Sequence, residues 1–126
     1  KEMSQGGMEI YSHTCTHPVL STLQDEDEIR AELVNSKAAI EENLGGACSV
    51  FAYPVGRLSS YDQRTLRMVA ESGYQIACIN ESGLNNLTST NKLELRRIPV
   101  DRFQNDQSFN TKIYSIFYSQ LINTIW

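Results

Sequence analysis

The sequence predicts an α/β fold built on a parallel sheet, and three observations carry that prediction. Short apolar runs alternate with longer segments of helical periodicity. Glycines follow the last periodic residue of the helical segments. Two unusual motifs each sit just past an apolar run, where chemistry gathers in folds of this class. The expected order is strand, helix, strand, helix, strand, strand, helix.

Taken in turn, residues 1–7 read as the end of a helix stopped by Gly6 and Gly7. Met8 to His13 reads as a short strand. Asp25 to Leu44 reads as a helix, because Ile29, Leu33, Ile40 and Leu44 recur at helical intervals and Asp25 stands three residues before Glu28 as in a capping box. Ala47 to Tyr53 is apolar, short and followed by Pro54, as a buried strand would be. Ser60 to Ser72 is a second helix with Leu66, Val69 and Ala70 as its buried stripe. Tyr74 to Asn80 and Leu93 to Val100 are further strands, separated by a polar loop over residues 82–91. Ser108 to Ile125 is a last helix, with Ile113, Ile116, Phe117, Leu121 and Ile125 inward.

Composition narrows the function classes. At 126 residues the chain has the size of one domain, and 40% hydrophobic with 21% charged residues is ordinary for a globular protein. The net charge is −4 and the longest basic run is Arg96-Arg97, which argues against a nucleic-acid surface. No apolar run approaches the ~20 residues that span a bilayer. The three cysteines, Cys15, Cys48 and Cys78, are scattered and predict no disulfide framework.

The two histidines of the chain, His13 and His17, stand four apart in Ser12-His13-Thr14-Cys15-Thr16-His17-Pro18. One helical turn would bring both imidazoles to one side, and neutral imidazole suits zinc and neighbouring divalent metals. A catalytic zinc takes three protein ligands, so a third, a carboxylate, is required from elsewhere. In a helical turn Cys15 points away, as a small packed side chain. A surface turn with two unrelated histidines is the bland alternative.

The second motif is Phe51-Ala52-Tyr53-Pro54-Val55-Gly56. Pro54 fixes its own φ and drives Tyr53 extended, while Gly56 permits a tight reversal or a close backbone approach. The expected result is a rigid loop mouth with an aromatic ring and a free Tyr53 N–H, able to stabilise an oxyanion or face a sugar ring. A plain turn after a strand is the alternative.

Together, in this order and at this separation, the motifs resemble the polysaccharide deacetylases of carbohydrate esterase family 4, the group with nodulation-protein-B homology. His13-Thr14-Cys15-Thr16-His17 is similar to that family's His-(Ser/Thr)-x-x-His metal motif, and residues 51–56 to its groove motif. Gly73-Tyr74, Gly83-Leu84-Asn85 and Leu95-Arg96-Arg97-Ile98 resemble later landmarks, so the resemblance runs to about Arg102. It implies a distorted (β/α) barrel, of which residues 1–126 are the C-terminal portion of a single domain. It implies hydrolysis of N-acetyl, or less often O-acetyl, groups on a polysaccharide or amino-sugar oligomer. His13 and His17 would hold a divalent metal, zinc first, with Thr14 steadying the metal loop. The Tyr53 N–H would share the oxyanion, and Phe51, Tyr53, Pro54 and Gly56 would line the substrate groove.

The resemblance also implies two aspartates upstream of the histidines, a metal ligand and a general base, and residues 1–12 contain no Asp. Ser49 stands where the family often has an Arg, and no histidine follows His17 to serve as general acid. The chain by itself is therefore expected to be inactive, with an exposed sheet edge that favours self-association or complementation by the missing part. Asp101 is a weak substitute acid, with Asp62 and Glu81 weaker still. The aromatics Tyr114, Phe117, Tyr118 and Trp126 are expected to pack as core. The family acts mostly at cell envelopes or outside cells. A non-catalytic carbohydrate-binding or metal-binding module is the competing expectation.

Overall fold

The structure, a computed structural model, describes residues 1–86, 88–100, 102 and 104–125, with side chains described through Ile116. Four helices and three strands make its framework: α1 (Glu2–Gln5), α2 (Glu26–Leu44), β1 (Val50–Ala52), α3 (Gln63–Glu71), β2 (Ile76–Ile79), β3 (Leu95–Arg96) and α4 (Asp106–Ile125). The strands form one parallel sheet in the order β1-β2-β3. The expected parallel α/β arrangement is therefore present, with shorter strands than the apolar runs implied.

The first expected strand contributes one residue. Ser12 pairs in parallel with Phe51, donating its N–H to Val50 O at 3.3 Å and accepting from the Ala52 N–H at 2.9 Å. Around it Met8 and Tyr11 are exposed, so no apolar face holds the rest of the segment to the sheet. At the other edge only Leu95–Arg96 pairs. Lys92–Glu94 wind into a 3-10 turn capped by the Asn91 side chain on Leu93 N–H, and Pro99 has no N–H to give a ladder.

α2 begins as expected at Asp25, whose carboxylate accepts from Asp27 N–H, and ends at Gly45 with φ +73°. No bond returns from Glu28, so the cap is a single Asx contact rather than a box. α3 starts later than expected. Ser60 donates its hydroxyl to Arg57 O inside a turn, and Asp62 is the cap, accepting from Thr65 N–H. That bond, opposed by slight burial and aided by the Thr65 hydroxyl and Arg64, holds the Asp62 carboxyl below the usual aspartate range.

The core lies between the sheet and the two long helices of the central region. Phe51, Ala77 and Ile79 face it from the strands, Ile29 and Leu33 from α2, and Leu66, Met68 and Val69 from α3. Ring contacts knit its centre, with Phe51 5.1 Å from both Tyr53 and Tyr74. Two helix side chains of α2 also grip the entry to β1: Lys37 donates to Cys48 O at 2.5 Å, and Glu41 accepts from Cys48 N–H at 2.9 Å. Surface ion pairs Arg67–Glu26 and Arg30–Glu71 bridge α2 and α3, each worth ~0–1 kcal/mol. In α4, Ile113 and Ile116 are half-buried, but Tyr114 is exposed and does not join the core. The placements expected for Asp101, Trp126 and the side chains of Phe117, Tyr118, Leu121 and Ile125 lie outside the described residues. Among the described residues, no helix is long and apolar enough to cross a membrane.

Candidate metal and acyl site at the C-terminal end of the first strand

His13 follows directly on the bridging residue Ser12, so the sheet itself delivers it to the C-terminal end of β1. There its Nδ1 lies 2.7 Å from Ala52 O. A carbonyl can only accept, so Nδ1 carries the proton and Nε2 keeps its lone pair for a ligand. The His17 ring stands edge-on to it, with centroids 4.8 Å apart and planes at 74°. The two imidazoles therefore stand together, and His13 ties them to residues 51–56 through Ala52 O.

The loop between them is not a helical turn. Thr14 and His17 have φ of 65° and 63°, a left-handed backbone that non-glycine residues seldom adopt. The Thr14 hydroxyl fastens this shape locally, donating to His13 O at 2.5 Å and accepting from His17 N–H at 3.1 Å. Cys15 is consequently exposed rather than packed, with its thiol 3.7 Å from Glu32 O. Slight desolvation, and then the Glu32 charge, raise the pKa of its thiol.

Glu32, a residue the sequence reading passed over, reaches this loop from α2. Its carboxylate accepts from Cys15 N–H at 2.7 Å, Thr16 N–H at 2.9 Å and Thr16 Oγ1 at 2.6 Å. Partial burial works against its charge, but these three donors prevail and hold the carboxyl below the usual glutamate range. The available signal was its place beside the buried stripe of Ile29 and Leu33, one turn before Ser36, which bonds Ser12.

The turn after β1 requires a correction. Tyr53 N–H is not free: it donates to Cys78 O at 3.1 Å as a continuation of the sheet. Nor can its ring face a sugar, because Phe51 and Tyr53 are wholly buried and Pro54 is among the fully buried side chains. Tyr53 stacks on Tyr61 at 4.6 Å and donates its hydroxyl to Leu93 O at 3.1 Å. Burial, with the nearby Tyr61 and Glu94, drives its pKa far above the tyrosine range. Tyr61 is pushed up to about 12 by burial and by its bond to Glu94. Parallel pairing consumed the N–H that the Tyr-Pro sequence was expected to leave open.

Gly56 keeps a role, but a backbone one. Its φ is +68°, and a Cβ there would lie 2.7 Å from Asn80 N, whose N–H donates to Gly56 O at 2.7 Å. Between Pro54 and Gly56, Val55 is exposed with φ 62°, and its N–H has no partner among the described residues. It is the open donor at this mouth, three residues on from the carbonyl that holds His13.

The donor set suits a divalent cation in kind, with two imidazoles together and one tautomer fixed. It is incomplete in number, since among the described residues no group of three His, Cys, Asp or Glu side chains could hold a metal. Asp62 caps α3 and is no substitute ligand, and Glu81 joins no such group.

Residues 1–77 match the family model described as polysaccharide deacetylase. The chain is similar to the Bacillus subtilis (strain 168) protein named "Putative polysaccharide deacetylase YxkH", with 29% identity over 116 residues. That match takes in 92% of this chain and 40% of the relative. The Streptococcus pyogenes deacetylase PplD, solved in complex with acetate, superposes with a TM-score of 0.76 at 27% identity, over 88% of this chain and 47% of that one. The Bacillus cereus polysaccharide deacetylase BC0361 shares the fold, with a TM-score of 0.74 at 24% identity, over 90% of this chain and 34% of that one. The chain thus spans less than half the length of each of these relatives.

Proposed function

Because the chain belongs to the polysaccharide deacetylase family, we propose that it supplies the histidine half of a metal-dependent deacetylase site acting on acetylated polysaccharide or amino-sugar oligomers. The observation that carries this reading is the pairing of His13 and His17 at 4.8 Å, with His13 Nδ1 tied to Ala52 O at 2.7 Å. His13 and His17 would hold the cation, zinc first, since imidazole suits it. When bound, a divalent metal supplies Lewis acidity, giving a more acidic water and a polarised acetyl carbonyl.

The chain's own residues do the rest. Ala52 O keeps the His13 proton on Nδ1, and Thr14 ties the two ligand residues through the backbone. Val55 N–H offers a donor to the acyl oxygen, which gains negative charge as water adds to the acyl carbon and returns it to the C=O bond as the C–N bond breaks. The third ligand and the groups that move the proton from water to the leaving amine are assigned outside the described residues. A site shared in this way accounts for the expectation that residues 1–126 alone do not turn over.

Zinc titration calorimetry and acetate release from N-acetylated oligosaccharides test the reading. We expect His13→Ala and His17→Ala each to abolish measurable zinc uptake, and to abolish acetate release once a segment supplying the third ligand and the proton-transfer groups is present. Zinc held equally well by both variants, or acetate release that survives both, would overturn it.

A further inference from the structure

We infer that Glu32 is a positioning residue for the histidine loop, the peg around which residues 14–17 are wound so that both imidazoles can share one cation. The inference deepens the metal reading and rests on it. Two consecutive backbone amides and one hydroxyl converge on this single carboxylate, and both of its oxygens are used. The residues it grips, Cys15 and Thr16, lie between the two left-handed residues Thr14 and His17. Such backbone persists only where its surroundings over-determine it. Apolar packing does not do so here: Cys15, Thr16 and His17 are exposed. A concavity of about 320 Å³, lined by Thr16, Pro18, Leu23, Glu28, Ala31 and Glu32, opens between the loop and α2. The peg itself is firm, because Ile29 and Leu33 bury α2 on that face and Ser36 bonds Ser12 one turn further on.

The chemistry explains why a carboxylate stands there. Both amides meet at Oε2 and the Thr16 hydroxyl at Oε1, and an ionised acid accepts all three without turning a donor of its own toward the loop. A side chain of the same length without acceptors, such as methionine, leaves both loop amides and the Thr16 hydroxyl without their bonds. Glu32 never touches the cation; it acts through the peptide groups that set the imidazole spacing, as outer partners of metal ligands do.

Cobalt(II) is the probe, read by titration calorimetry and by its visible absorption, in the parent protein and in Glu32→Met, Glu32→Ala and Glu41→Gln. We expect both Glu32 variants to bind cobalt about 10–100-fold more weakly than the parent. Amide hydrogen exchange at Cys15 and Thr16 should quicken in the metal-free Glu32 variants. Glu41→Gln removes a carboxylate from the same helix without touching the loop, and should bind cobalt like the parent. Glu32→Met keeps the length of the side chain without its acceptors and gives the answer if Glu32→Ala fails to fold. A folded Glu32 variant that binds cobalt as tightly as the parent overturns the inference and leaves the metal reading standing. A parent that takes up no cobalt overturns the metal reading and the positioning role with it.

Discussion

The histidine loop and the turn after β1 are joined by one hydrogen bond, His13 to Ala52 O, yet they are built on opposite principles. In the turn, Phe51, Tyr53, Pro54 and Gly56 are buried, and close contacts between rings and backbone fix their positions. In the loop, His13, Cys15, Thr16 and His17 are exposed, and polar donors converging on Glu32 and Thr14 fix theirs. Burial makes the first region a frame, and hydrogen bonds make the second an adjustable fitting on it. The imidazoles stay open to solvent, so packing does not hold them.

That contrast predicts a graded set of effects. Phe51→Ala should cost the most, about 3–5 kcal/mol in denaturant unfolding, because the ring is wholly buried among Tyr53 and Tyr74. A loss below ~1 kcal/mol would show that the turn is not the frame we describe. Gly56→Ala comes next, at roughly 1–3 kcal/mol, since a methyl would meet Asn80 N at 2.7 Å on a backbone with φ +68°. Thermal melts of that variant should fall clearly, and an unchanged melting point would contradict the close approach.

Asp62→Ala tests a polar hold within the frame. Losing the α3 cap should cost about 1 kcal/mol at neutral pH. Because the folded carboxyl sits below the ordinary aspartate value, its contribution is complete above about pH 4 and fades as pH falls through the lower folded value. Denaturation curves of parent and variant should therefore converge in acid, and a gap that widened there would refute the assignment. The smallest effect belongs to the loop: His13→Ala should shift stability by no more than ~0.5 kcal/mol, because the ring is exposed, while removing zinc uptake. A large stability loss in that variant would erase the distinction between frame and fitting.

The same contrast explains what was legible from sequence. Periodicity located α2 and the order of strands because burial writes a repeating pattern, as Ile29, Leu33 and Phe51 show. The closeness of the two histidine rings was suggested by their short spacing, but the left-handed loop that sets it was not. The Tyr53 N–H was misjudged because a proline constrains its neighbour's φ and ψ, not whether a parallel strand supplies an acceptor such as Cys78 O. Glu32 went unseen because it stands sixteen and seventeen residues from its partners and looks like any half-exposed helix glutamate. The open N–H of Val55 was missed for a related reason: which amide stays unpaired is decided by where β2 stops pairing with β1, after Ala52–Cys78.

Ala52 holds His13 with its main chain, and that has an effect on how the site can change over generations. A tautomer set by an aspartate or a serine is lost with a single codon. A peptide oxygen is present whatever residue occupies position 52, so drift at that site alters bulk without altering the proton on the ring. Saturation mutagenesis at residue 52 should consequently spare metal uptake for small replacements and report only steric fit.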